Sequence, residues 1–143
     1  TCPELDVTRD EMAQFMWRSK GQPAPTTTAA FEDVAVDATY TTAVDWLAEQ
    51  QITLGCTTTT YCPDGTVTRA EMAAFLWRLE GSPEGSTPAG FGDVPEDAFY
   101  GAAADWLLAS GTTTGCTASS YCPNGLVTRA EMFTFLKRLG DLA

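Results

Sequence analysis

The chain repeats itself every 60 residues, and that period constrains its fold more than any other feature. Val7-Thr8-Arg9-Asp10-Glu11-Met12 recurs without gaps as Val67-Thr68-Arg69-Ala70-Glu71-Met72 and as Val127-Thr128-Arg129-Ala130-Glu131-Met132. The same offset relates Phe31 to Phe91, Asp33 to Asp93, Tyr40 to Tyr100, Gly55 to Gly115, and Cys2 to Cys62 and Cys122. Self-similarity at this period marks a stack of supersecondary units, none of which can bury its own apolar face alone. One unit covers residues 31–81 and another 91–141. Residues 1–20 form the second half of a third, and 21–30 and 82–90 are linkers rich in Pro, Gly, Ser and Thr.

Each unit reads as two helices. The first spans roughly residues 38–51, with Ala43, Val44 and Leu47 inward and Asp37 or Asp97 placed to cap its start. The second spans roughly residues 69–79. Met72, Phe75, Leu76 and Leu79 fall at i, i+3, i+4 and i+7, which is a single apolar stripe. Met132, Phe135, Leu136 and Leu139 repeat the stripe in full, and Met12, Phe15 and Met16 repeat most of it. The expected class is therefore all-α, built of tandem helix–loop–helix units. Trp17 and Trp77, replaced by Lys137 in the third copy, read as packing residues, as do Trp46 and Trp106. Asp64-Gly65 and Asn124-Gly125 read as turns.

Charge and composition narrow the function. The net charge is −11 with no histidine. An acidic surface repels nucleic acid and anionic lipid at long range, and the missing imidazole removes the commonest general base and metal ligand. No apolar run reaches the length of a membrane span. No cofactor motif, nucleophile elbow or metal cluster is present, and the loops lack the alternating acids of an EF-hand. The expectation is a non-enzymatic module with neither cofactor nor metal. The Thr runs at 26–28, 57–60 and 112–114 read as solvated loop.

Cys56 and Cys62 flank a short Thr-rich loop, as do Cys116 and Cys122. A disulfide in each unit is the simplest reading and implies an oxidising, extracytoplasmic setting. The alternative, metal binding, does not fit known zinc spacings without histidine. Cys2 is left over, and its partner by repeat logic lies upstream of Thr1.

Thr68 at the N-cap and Glu71 at N3 form a capping box, repeated in all three copies, so these two residues need no function to explain them. The arginine between them does. Of eight Lys and Arg residues, Arg9, Arg69 and Arg129 stand at the first helical position, where the helix dipole disfavours a cation. Arg18, Arg78 and Arg138 stand near helix C-termini, where it is welcome. Two readings of the first set remain open: a receiver for a carboxylate ligand, or a structural ion pair, with Asp33 or Asp93 as candidate partners.

At these residues the chain resembles the S-layer homology family. Its pattern appears as Phe31-Glu32-Asp33-Val34, Leu47, Ile52, Gly55, Tyr61, Pro63 and Val67 through Met72. It appears again as Phe91-Gly92-Asp93-Val94, Leu107, Gly111, Gly115, Tyr121, Pro123 and Val127 through Met132. Where the family has a tryptophan before the first helix, this chain has Thr39 and Phe99, followed by Tyr40 and Tyr100. The resemblance implies a pseudo-threefold helical bundle outside the cell. Such a bundle holds a surface protein noncovalently on the cell wall by binding secondary cell-wall polysaccharide, pyruvylated forms included. It implies ligand contacts at Arg9, Arg69 and Arg129, with Asp33, Asp93, Gly55, Gly111, Gly115, Tyr40 and Tyr100 around them. The alternative is a structural module that packs against other surface-protein chains without binding glycan.

Overall fold

The computed structural model describes residues 4–140. Five helices account for its regular structure: α1 (Arg9–Ser19), α2 (Thr41–Glu49), α3 (Arg69–Leu79), α4 (Gly101–Ala109) and α5 (Arg129–Gly140). Among the described residues there is no extended strand. Helices α1, α3 and α5 are the same helix at successive offsets, as are α2 and α4. Each of the first set starts on a capping box. In α3 the Glu71 amide donates to Thr68 Oγ1 at 3.1 Å while the Thr68 amide donates back to Glu71 Oε1 at 3.1 Å. Thr128 and Glu131 do the same on α5. Two orphan amides are satisfied at each start.

The second helix of each unit lies where the stripe predicts. Met12, Met72 and Met132 are fully buried, with Met16, Leu76 and Leu139 beside them. The first helix of a unit packs on the second helix of the unit before it: α2 lies on α1, and α4 on α3. Ala43, Val44 and Leu47 form the buried face of α2, and burial of a leucine such as Leu47 contributes about 1.5–3 kcal/mol.

The first helices are shorter than expected. They begin at Thr41 and Gly101, behind Tyr40 and Tyr100 as N-caps, and neither N-cap makes a side-chain capping bond. Asp37 and Asp97 therefore do not cap them. Residues 38–40 form a turn closed by the Thr41 amide on the Ala38 carbonyl. The helices stop because Gln51 and Gly111 turn left-handed, at φ 60° and 77°.

The three copies close on themselves. The Val7 amide donates to the Val127 carbonyl at 2.7 Å, and the Val127 amide to the Val67 carbonyl at 3.0 Å. Single antiparallel bridges join Asp6 to Thr128, Thr8 to Thr66 and Thr68 to Leu126. Val7, Val67 and Val127 are all fully buried where these segments meet, and α1 packs against α5. The result is a ring of three equivalent contacts, the pseudo-threefold arrangement.

Side chains fasten the linkers to this ring. Trp17 Nε1 donates to the Pro23 carbonyl and Trp77 Nε1 to the Pro83 carbonyl, both at 2.8 Å. Asp45 and Asp105 accept from the Ala29 and Ala89 amides. Disulfides join Cys56 to Cys62 and Cys116 to Cys122, with Cα atoms 6.0 Å apart. Cys2 lies outside the described residues.

The flank of α5 differs from those of α1 and α3. Ala13 and Ala73 are fully buried on their helices, whereas Phe133, at the same repeat position, is 55% exposed. Its ring lies against that of Phe15, with centroids 4.7 Å apart and the planes tilted by 48°.

Candidate functional site

The arginine at the first helical position points into the neighbouring unit and is buried. Arg9 is 4% exposed and Arg69 is 7% exposed. Arg9 Nε donates to the Tyr61 carbonyl at 2.7 Å, and Arg69 Nε donates to the Tyr121 carbonyl at the same distance. Each guanidinium lies over a tyrosine ring, 4.7 Å from the centroid of Tyr61 or Tyr121. Each also meets a glutamate of the next copy: Arg9 with Glu71 at 3.1 Å, and Arg69 with Glu131 at 3.6 Å. Arg129 closes the cycle on Glu11.

The ion-pair partner is thus the capping glutamate, not Asp33 or Asp93. One Glu71 oxygen accepts from the Thr68 amide and the other from Arg9. Asp33 is committed elsewhere, with its two oxygens accepting the Tyr61 and Cys62 amides at 2.8 and 2.7 Å. Asp93 binds Tyr121 and Cys122 identically. Burial pushes these carboxyls up, but the amide donors outweigh it and hold both below the usual aspartate range. Each aspartate thereby shapes the loop that carries the disulfide and the arginine's carbonyl acceptor.

The helix N-termini themselves are occupied. The Arg9 and Asp10 amides donate to the Gly65 and Pro63 carbonyls, and the Arg69 and Ala70 amides to Gly125 and Pro123. Any anion received here must therefore meet the guanidinium rather than the helix amides. On Arg9 one donor remains: Nη2 is buried and has no hydrogen-bond partner among the described residues.

Two grooves open at these arginines. One, of about 270 Å³, is lined by Arg9, Glu71, Phe75 and Arg78 with the loop Leu54-Gly55-Cys56. Ala74 and Phe99 complete its lining. The other, of about 350 Å³, is lined by Arg69, Glu131, Phe135 and Arg138 with the loop Thr113-Thr114-Gly115-Cys116. Thr134 is among its further lining residues.

Of the residues singled out from the sequence, Arg9 and Gly55 come together in the first groove, and Arg69 and Gly115 in the second. Gly55 and Gly115 are required there. Both are left-handed, at φ 85° and 84°, and a Cβ on either would sit about 2.5 Å from two backbone carbonyl oxygens and within 3 Å of a Phe31 or Phe91 ring atom. Arg129, Asp33, Asp93, Gly111, Tyr40 and Tyr100 do not line either groove.

Sequence reasoning missed Arg78 and Arg138 as lining residues. Their place near helix C-termini gave them a sufficient electrostatic explanation, yet each enters a groove. There each also donates to a carbonyl of the preceding loop, Arg78 to Ile52 at 3.2 Å and Arg138 to Thr112 at 2.9 Å. Each groove thus holds two arginines, of which Arg9 lies over Phe75 and Arg69 over Phe135, inside a protein of net charge −11.

This arrangement of repeated capping-box arginine, glycine loop and apolar first helix can be compared with known proteins. Residues 30–73 match the family model described as the S-layer homology domain. The chain carries an S-layer homology domain. It is similar, at 36% identity over 90 residues, to endo-1,4-beta-xylanase A of Thermoanaerobacterium saccharolyticum, matching 63% of this chain and 8% of the xylanase. It is 31% identical over 99 residues to an exoglucanase of Acetivibrio thermocellus, matching 69% of this chain and 9% of that protein. It is 33% identical over 99 residues to the amylopullulanase of Thermoanaerobacterium thermosulfurigenes, matching 69% of this chain and 5% of that protein. The chain spans less than a tenth of the length of these relatives. The matched S-layer homology segment starts in the linker before Phe31 and ends inside α3. It holds the wall of the first groove up to Ala73.

Proposed function

We propose that this chain anchors the protein that carries it to the bacterial cell surface, noncovalently, by holding acidic cell-wall polysaccharide in its two arginine grooves. The observation that carries this reading is the Arg9 Nη2 donor, buried on a side chain that lines a groove and without a hydrogen-bond partner among the described residues. An unsatisfied buried donor on a cation costs more than an ordinary lost hydrogen bond, and a ligand carboxylate would supply the missing acceptor. The S-layer homology domain is the class of module that anchors surface proteins to cell walls, which supports the coarser half of the proposal.

A net charge of −11 repels an acidic polymer at a distance. Attraction must therefore be short-range and concentrated where Arg9 with Arg78, and Arg69 with Arg138, stand together. A pyruvate ketal fits such a site because it presents a carboxylate to a forked guanidinium. The test is co-sedimentation of the protein with purified wall sacculi, before and after chemical removal of the wall polymers. Binding that disappears with the polymers is expected, whereas binding that survives their removal overturns the polysaccharide reading.

A second reading, packing against other surface-protein chains, is favoured by one feature, the exposed Phe133 beside Phe15. It predicts sacculus-independent self-association that Phe133→Ser abolishes.

A further inference from the structure

A cavity of about 630 Å³ lies between the second linker and the start of α4, and it is larger than either arginine groove. Pro88, Phe91, Val94 and Pro95 give it apolar walls, and Glu96 and Asp105 add two carboxylates. Among the described residues no lysine or arginine lines it, and neither carboxylate belongs to any of the ion pairs that Arg9, Lys20, Arg69 and Arg129 make. One oxygen of Asp105 accepts the Ala89 amide at 2.9 Å.

The equivalent turn of the first copy is built differently. There Thr41 Oγ1 donates to the Ala35 carbonyl at 2.6 Å, so the chain places its own donor on that carbonyl. At the 60-residue offset Thr41 becomes Gly101, Ala35 becomes Pro95 and Val36 becomes Glu96. The second copy therefore loses the donor and gains a carboxylate at the same turn. The Pro95 carbonyl accepts the Ala98 amide at 3.1 Å and keeps a second lone pair. A Cβ on Gly101 would meet nothing closer than the Pro95 and Glu96 carbonyl oxygens, both at 3.8 Å. The space that a threonine side chain fills in one copy is open in the other.

We propose that this cavity takes the side chain of a lysine presented by a partner protein. The ammonium stands where the Thr41 hydroxyl stands in the first copy, and it donates to the Pro95 carbonyl and to the Glu96 and Asp105 carboxylates. An ammonium brings three donors and no acceptor, which suits a lining whose free polar groups are acceptors. The aliphatic stem of the lysine lies along Phe91, Val94 and the two prolines. A net charge of −11 draws such a cation in from a distance, the reverse of its effect on an acidic polymer. The cavity shares no lining residue with either arginine groove, so this site is independent of the anchor reading.

The test is a nuclear magnetic resonance titration of the whole chain. The Ala89 amide, bonded to Asp105, and the Ala98 amide, bonded to Pro95, report the cavity. The Ala29 amide, bonded to Asp45, is the matching reporter in the first copy. The probes are Nα-acetyl-lysine methylamide, its norleucine analogue and methyl glucosaminide. The second keeps the stem without the ammonium, and the third carries the ammonium on a hydroxylated ring. The lysine probe is expected to shift Ala89 and Ala98 and to leave Ala29 in place, and the other two probes to shift none of them. Raising the salt to about 1 M should weaken the lysine probe, because exposed charges are then screened.

Glu96→Gln should weaken the lysine probe by about two- to fivefold, the range of an exposed ion pair. Gly101→Thr, which restores the residue of the first copy, should abolish its binding. Both variants should keep their helical circular dichroism, since Glu96 is exposed and Thr41 already begins α2. The proposal is overturned if either control probe matches the lysine probe, if Ala29 shifts as far as Ala89, if Gly101→Thr binds as before, or if no amide shifts at all. Sedimentation with sacculi decides the anchor reading separately from every one of these outcomes.

Discussion

Tyr61 and Arg9 hold each other by two hydrogen bonds that run in opposite directions. The Tyr61 hydroxyl donates to the Arg9 carbonyl at 2.9 Å, and Arg9 Nε donates to the Tyr61 carbonyl at 2.7 Å. Tyr121 and Arg69 repeat the exchange at the same two distances. The residues are 52 apart in sequence, so each pair ties a helix start to the loop of the next copy. Tyr61→Phe removes only the hydroxyl and leaves a buried carbonyl short of an acceptor bond. Urea denaturation should report a loss of about 1–3 kcal/mol.

Arg9→Ala is a folding mutation before it is a binding mutation. It deletes the Tyr61 carbonyl bond, the Glu71 ion pair and the stacking on Tyr61 together. A loss of about 3 kcal/mol or more is expected, measured as the shift in urea midpoint. Arg129→Ala should cost less, because Arg129 is 25% exposed where Arg9 is 4%.

Backbone conformation gives a pair of opposite effects. Gly55→Ala places a Cβ 2.4 Å from the Thr57 carbonyl oxygen and 2.6 Å from that of Thr60. It should destabilise by about 3 kcal/mol or more, since both obstacles are backbone. Gln51 holds the left-handed angle that Gly111 holds in the other copy. Gln51→Gly should stabilise by about 1 kcal/mol, read as a rise in melting temperature.

Reduction of the two disulfides should add four hydrogens by intact mass, two for each bridge. Each bridge closes a loop of six-residue separation, for which the chain-entropy relation gives about 2 kcal/mol. The helical core does not pass through either bridge, so the reduced chain should retain its circular dichroism and melt at a lower temperature.

Acid should unfold the protein in one window. The folded-state pKa values of Asp33, Asp93 and Glu11 lie below their ordinary values. In each, burial raises the pKa and hydrogen bonds more than reverse it, with Arg129 contributing at Glu11. Groups depressed in this way contribute fully above the unfolded carboxylate pKa of about 4, and the contribution is lost as pH falls through the folded value. Tyr61 and Tyr121 have the opposite sign. Burial pushes both hydroxyls up, so their contribution is lost as pH rises above about 10. With no histidine in the chain, the urea midpoint should be level between pH 5 and 8.

The helices carrying the apolar stripe were legible to the residue: α3 runs Arg69–Leu79 as the capping box and stripe predict. Their signals are local. The start of α2 was misplaced because Asp37 looks like a cap, while the chain makes one more turn before Tyr40. The arginine's partner was hidden for a different reason. Glu71 had already been explained as a capping residue, and nothing local shows that its second oxygen faces a guanidinium 62 positions away. Asp33 misled as an ion-pair partner for the arginine in the same way, because only the fold brings the Tyr61 and Cys62 amides onto it. Leu54 and Thr114 were invisible as groove residues because the repeat highlights what the copies share, and this position is where they differ.

The closed circle of copies changes how the molecule fails. In an open stack a terminal unit can peel away and leave its neighbours nearly intact. Here Leu5 accepts from the Arg129 amide and Glu11 takes the Arg129 guanidinium, so the first copy is also the neighbour of the last. Detaching any one copy breaks two interfaces at once. Unfolding should therefore be all-or-none rather than stepwise, and tension applied to one copy is shared by all three.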